Sequence, residues 1–142
     1  MTSQQRTVSK AGVLLPSSPA SVPLARRFVA DHLDGRVSPE LRSAVVLVIS
    51  EMATNAVLHA ATDFEVRVDV FSDRLRVEVA DGDRRVPVRR QSDLAQPGGL
   101  GMVVVEACAT RWGVGDREGG KVVWAEFDHP NGAPSSGDGT GG

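Results

Sequence analysis

Between Ala44 and Ala60, apolar residues fall on nearly every face of a helical wheel, so the stretch reads as a helix built to be buried. Its start is written just upstream. Ser38 supplies a capping hydroxyl, Pro39 takes the first helical position, and Glu40 puts an acid near the positive end of the dipole. Beyond Ala60 the period changes from helical to two. Phe64 to Val70 alternates, as does Leu75 to Val79, and the short Ser72-Asp73 link makes them a β-hairpin with one buried and one wet face. Arg111 to Val114 and Val122 to Phe127 read as a second strand pair, with Gly115 to Gly120 as its loop. Ahead of the long helix, Gly12 to Leu15 predicts a short strand stopped by Pro16. A helix capped by Ser21 or a neighbour then carries Pro23 in its first turn and runs to about Leu33, where Gly35 is a plausible stop. Leu24, Phe28 and Leu33 mark its inner face. An apolar helix from Gly101 through about Ala109 separates the two hairpins.

Strands linked mostly as hairpins predict a largely antiparallel, at most mixed sheet, with the helices on one face: an α+β two-layer sandwich. Residues 1–10 are polar and patternless and are expected to form a loose tail, and residues 11–128 are expected to form the single domain. From His129 onward Pro, Gly and Ser dominate, which predicts a disordered end covering residues 129–142. Gly82 to Gly98 reads as a long loop carrying Arg84, Arg85, Arg89 and Arg90, and a loop of that length is expected to be functional or mobile.

Composition narrows the classes. Hydrophobic residues at 41% and charged residues at 24% suit a soluble globular domain. A formal net charge of -2 gives no electrostatic case for binding nucleic acid or an acidic membrane. The lone Cys108 excludes an intrachain disulfide and fits a reducing, cytoplasmic setting. The start shows no signal-peptide pattern, and the apolar run from Ala44 to Ile49 is broken at once by Ser50 and Glu51, which argues against a membrane span.

Chemistry-bearing residues interrupt this pattern at three places. Glu51 and Asn55 stand i, i+4 on one face of the apolar helix, where a carboxylate and an amide must be satisfied internally or line a wet cleft. For Glu51 the plain alternative is pairing with an arginine from elsewhere. Asp81 ends a strand and is followed by Gly82. It is either an acceptor for a ligand amine or a turn residue bonding its own backbone. Gly98-Gly99-Leu100-Gly101 opens a helix, where backbone amides approach a phosphate and the dipole favours an anion. The alternative there is an ordinary glycine-rich helix start. Val104 stands where a dinucleotide fingerprint needs its third glycine, so that motif is excluded. His59 reads as a helix C-terminal residue, and Trp112 and Trp124 as core or sheet-face residues.

Glu51-Met52-Ala53-Thr54-Asn55-Ala56-Val57-Leu58-His59-Ala60, then Val77-Glu78-Val79-Ala80-Asp81, then Gly98-Gly99-Leu100-Gly101-Met102 resemble, in this order, the nucleotide boxes of the histidine-kinase-like ATPase superfamily. The short chain is most similar to the branch of anti-sigma-factor serine/threonine kinases, and Arg111 to Val114 with Lys121 to Phe127 supports that closer likeness. The resemblance covers roughly residues 11 to 128. It implies the superfamily's fold and a site for ATP or ADP with Mg²⁺. By position Asn55 matches the asparagine that ligates Mg²⁺, and Asp81 matches the aspartate that accepts from the adenine amino group. Gly99 and Gly101 match the lid and helix-start glycines, and Gly82, Leu100 and Met102 fall within the same nucleotide-binding stretches. Glu51 matches the acid proposed as general base. The implied activity is phosphotransfer to a serine of an anti-anti-sigma-like partner, with a sigma factor as the other partner and a homodimer as a plausible assembly. The alternative is a non-catalytic ATP- or ADP-binding interaction module. Two departures stand out. Asp83 and Arg85 occupy positions after the aspartate where relatives carry glycines, and Lys121-Val122-Val123 replaces a segment that often carries a threonine near the adenine.

Overall fold

The computed structural model describes residues 7–60, 62–82, 101–117 and 119–129. The chain runs β1 (Thr7–Leu15), α1 (Ser21–Leu33), α2 (Pro39–His59), β2 (Phe64–Phe71), β3 (Arg74–Asp81), α3 (Gly101–Cys108), β4 (Arg111–Arg117) and β5 (Gly120–Asp128). The five strands form one sheet in the order β1-β2-β3-β5-β4. Every pairing is antiparallel, so the α+β sandwich forms without the parallel component that a mixed sheet would have.

Register decides which face is buried. Val13 lies opposite Val66, Val66 opposite Val79, and Val79 opposite Val123. Val68, Val77 and Ala125 form the next such row. Because side chains alternate along each strand, these rows share one face, and they are buried, Val13 only partly, with Val29 and Leu33 of α1, Val45, Val48, Ile49 and Met52 of α2, and Val105 of α3. The other face is a charge ladder. Glu126 accepts from Arg76 Nη1 and Arg111 Nε, each at 3.0 Å. Partial burial would raise the Glu126 carboxyl, but those hydrogen bonds and the nearby Arg74 hold it below the usual carboxylate range. Trp124 lies on this face. Its ring covers Gly113, where a Cβ would stand 2.7 Å from the indole, and the Arg76 guanidinium stacks 4.5 Å above the ring centroid. Trp112 instead packs, half-buried, against the core.

The start of α2 is the one its sequence specifies. Ser38 Oγ accepts from the Leu41 amide at 3.1 Å and Pro39 opens the helix. A two-layer fold covers only part of a helix, however, and Leu47 and Leu58 remain 46% and 48% exposed. The expectation of burial on nearly every face therefore holds for one side only. By length and composition α2 does pass as a possible membrane span, contrary to the sequence expectation. In this domain its apolar side lies against the sheet, α1 and α3.

Other boundaries move. β1 begins at Thr7, so residues 7–10 belong to the sheet and not to a loose tail. Polar Ser9 hides the alternation because it points to the helix side and hydrogen-bonds His32 Nε2 at 2.8 Å. Ser21 is not the cap of α1. It is the first helical residue and donates to the Pro16 carbonyl. The inner face of α1 is Ala25, Val29 and Leu33, with Phe28 half-buried against the core and Leu24 exposed. β4 and β5 extend into the expected loop and leave a turn at Gly119, whose φ of 79° suits glycine. His129 is buried and its amide donates to the Asp73 carbonyl, so it is packed and does not begin the expected disordered end. The remaining expectations for residues 1–6, 83–100 and 130–142 lie outside the described residues.

The opposed faces of α2 give a direct test in chemical denaturation. Ile49→Ala should cost about 2–5 kcal/mol, and Leu47→Ala no more than about 0.5 kcal/mol. Equal losses would contradict this orientation of the helix.

Candidate functional site

α2 carries Glu51 and Asn55 one turn apart, both half-buried, on the stretch where Met52, Ala53 and Ala56 continue its buried apolar side. Asn55 reaches α3. Its Nδ2 donates to Met102 Sδ at 3.5 Å, while its Oδ1 is buried and makes no hydrogen bond among the described residues. A buried acceptor left unmade costs on the order of 1–3 kcal/mol, which a donor or cation bound there would recover. Among the described residues no lysine or arginine pairs with Glu51.

Asp81 ends β3 on the helix side of the sheet, opposite Phe64 on one neighbour and Lys121 on the other. Both members of the Asp81–Lys121 rung are buried, at 9% and 7% exposure. Lys121 Nζ donates to both carboxylate oxygens at 3.1 Å. Two further residues fix this corner. The Gly82 amide donates to Thr62 Oγ1 at 2.9 Å. Gly120 lies so close that a Cβ there would fall 1.8 Å from the Asp81 carbonyl oxygen, so only glycine lets β5 lie flush against the end of β3.

The helix behind the glycine-rich stretch is α3, which begins at Gly101. Gly99 and Leu100 lie outside the described residues, as do the loop arginines. Asn55 and Met102 are thus brought into contact, Glu51 stands a turn earlier on the same helix, and Asp81 with Gly82 sits at the end of a strand against which α2 packs. His59 is the last residue of α2, as its sequence predicts.

Reasoning from sequence missed the importance of Lys121, Thr62 and Gly120. Lys121 was detectable. It is a lone cation in the inward series Lys121, Val123, Ala125, Phe127, and pairing the strands by their alternation sets it opposite Asp81.

Among the described residues no group of three His, Cys, Asp or Glu side chains could enclose a metal ion. Mg²⁺ bound through phosphates needs no such cage, since one or two protein oxygens suffice, and the unpartnered Asn55 Oδ1 fits that role.

The family model of the histidine kinase-like ATPase domain matches residues 15–127, and the chain belongs to that family. An ATPase-type domain of this kind is a nucleotide-binding domain. Among solved structures, the chain is similar to the RsbU and RsbW domains of Rv1364c from Mycobacterium tuberculosis, with a TM-score of 0.66 and 16% identity. The likeness covers 90% of this chain and 35% of that one, so this chain spans about a third of the other's length. At that identity the likeness speaks for the fold alone. No curated protein sequence matches significantly.

The corner formed by Asp81 and Gly120 generates a second test. Gly120→Ala should cost about 3 kcal/mol through overpacking, against about 1 kcal/mol for Gly119→Ala, where only the left-handed backbone is strained. Thermal melts of both variants check this. A Gly120→Ala protein as stable as the wild type would contradict the close approach of β5 to Asp81.

Proposed function

We propose that this chain is a cytoplasmic ATP-binding regulator that acts as an anti-sigma-factor-type serine/threonine protein kinase. In this reading it transfers the ATP γ-phosphoryl group to a serine of a small anti-anti-sigma-like protein and engages a sigma factor as its other partner. The observation that carries the reading is the buried Asn55 Oδ1 beside the start of α3, which has no partner among the described residues. Support comes from the family, from the order of the nucleotide boxes within a domain of residues 11–128, and from the RsbW domain in the similar structure.

Each residue has a role in this reading. Asn55 Oδ1 would hold Mg²⁺, which would neutralise charge on the phosphates. By the resemblance, the stretch Gly99, Leu100, Gly101 and Met102 would bind the phosphates through backbone amides. Asp81, flanked by Gly82, accepts from the adenine amino group. Glu51 takes the proton from the partner's serine hydroxyl. The serine oxygen then bonds to the γ-phosphorus, the bond from that phosphorus to the β-bridging oxygen breaks, and ADP leaves. The absence of a cationic partner among the described residues leaves Glu51 available for that proton. Phosphoryl transfer of this kind depends chiefly on positioning and charge neutralisation, which this set of residues supplies.

The test uses γ-labelled ATP, Mg²⁺ and a purified anti-anti-sigma-like protein. Label should appear on a serine of the partner, and Glu51→Ala should lower the transfer rate by about a hundredfold or more. Transfer that survives Glu51→Ala overturns the base assignment. ATP binding without any transfer favours the non-catalytic interaction module.

A further inference from the structure

Three successive rungs between β3 and β5 on the helix side are apolar: Leu75 with Phe127, Val77 with Ala125, and Val79 with Val123. The fourth and last is Asp81 with Lys121. Stability gives no reason for that change, because a buried ion pair is commonly no better than an apolar pair of similar volume. The ionic rung stands at the end of β3, beside Gly82 and Thr62, and on the residue already read as the base contact. Its geometry is that of a recognition pair. A carboxylate that only accepts lies directly beside an ammonium that only donates, with both oxygens at 3.1 Å from Nζ.

We propose that Lys121 is a specificity-determining residue of the base subsite, and that with Asp81 it admits 6-oxopurine nucleotides (guanine and hypoxanthine) as well as adenine. This rests on the reading of Asp81 as the base contact. A carboxylate alone takes the hydrogens of a 6-amino group and repels a 6-oxo oxygen, since two acceptors then face each other with no hydrogen between them. Lys121 changes that edge. Its ammonium shares its donors between Asp81 and a 6-oxo oxygen, while Asp81 takes the N1 hydrogen of the same base and, in guanine, a 2-amino hydrogen. Adenine satisfies the same pair with its 6-amino group on Asp81 and a ring nitrogen on Lys121. A hydroxyl residue in place of Lys121 supplies no such charge, and the 6-oxo base loses more than adenine does.

The experiment is calorimetric titration of Mg-ATP, Mg-GTP and Mg-ITP into the full chain, as wild type, Lys121→Thr and Lys121→Arg, with a thermal melt of each to show that it is folded. The wild type should bind GTP and ITP within about tenfold of ATP. Lys121→Thr should lower GTP and ITP affinity about ten- to a hundredfold more than ATP affinity, the cost of one charge-assisted hydrogen bond, and Lys121→Arg should retain the wild-type ratio. A wild type that binds ATP and refuses GTP and ITP overturns this inference and leaves the nucleotide site standing, a result that needs no variant to fold. A Lys121→Thr protein that weakens all three nucleotides by one common factor makes Lys121 a merely structural residue and also overturns it. Failure of all three nucleotides to bind the wild type overturns the nucleotide reading itself, and this inference with it.

Discussion

The structure depends on one helix meeting two opposed demands. α2 has to supply the apolar side against which the sheet closes, and Val45, Val48, Ile49, Met52, Ala53 and Ala56 do so. In its second half it also carries Glu51 and Asn55. A polar group on such a helix is tolerable only where water or a ligand reaches it, or where a neighbour satisfies it. Asn55 finds half of what it needs in Met102 of α3, and its oxygen has no partner among the described residues. The position of α3 and the open valence of Asn55 are thus settled in the same contact.

The sheet supplies the other half of the site by register alone. Hairpin pairing of β2 with β3, and the crossover that brings β5 beside β3, place Asp81 between Phe64 and Lys121 on the face the helices cover. The rung forms because β5 starts with Gly120, which leaves room for the Asp81 carbonyl. The opposite face needs no helix. Arg76, Glu126 and Arg111 satisfy one another there, and Trp124 lies flat on Gly113.

The long elements were legible in the sequence because each is written twice, once in its period and once in its ends. Ser38-Pro39-Glu40 starts α2, Gly35 follows α1, and strict alternation marks β2 and β3. The failures have physical causes. At β1 a polar Ser9 does inward work through His32, so the strand lost its signal at Thr7. On α1 the small Ala25, and not the larger Leu24, is the buried residue, so bulk alone misplaced the inner face. Of the candidate site, Asn55 and Asp81 were legible as polar residues in apolar company, and the match of residues 15–127 agrees with the resemblance they suggested. Lys121 was visible only as a departure from a pattern. Its partner became apparent once strand register was known, since Asp81 and Lys121 lie 40 residues apart along the chain.

The central claim is that the open oxygen of Asn55 is a ligand for the metal of a bound nucleotide. The most direct measurement is calorimetry of ATP into the wild type and Asn55→Ala, each with Mg²⁺ and with excess chelator. The account predicts that the wild type binds ATP and that chelation weakens this binding strongly. In Asn55→Ala, binding should be weak and nearly indifferent to Mg²⁺. Wild-type binding that ignores Mg²⁺, or an Asn55→Ala protein with full Mg²⁺ dependence, would contradict it.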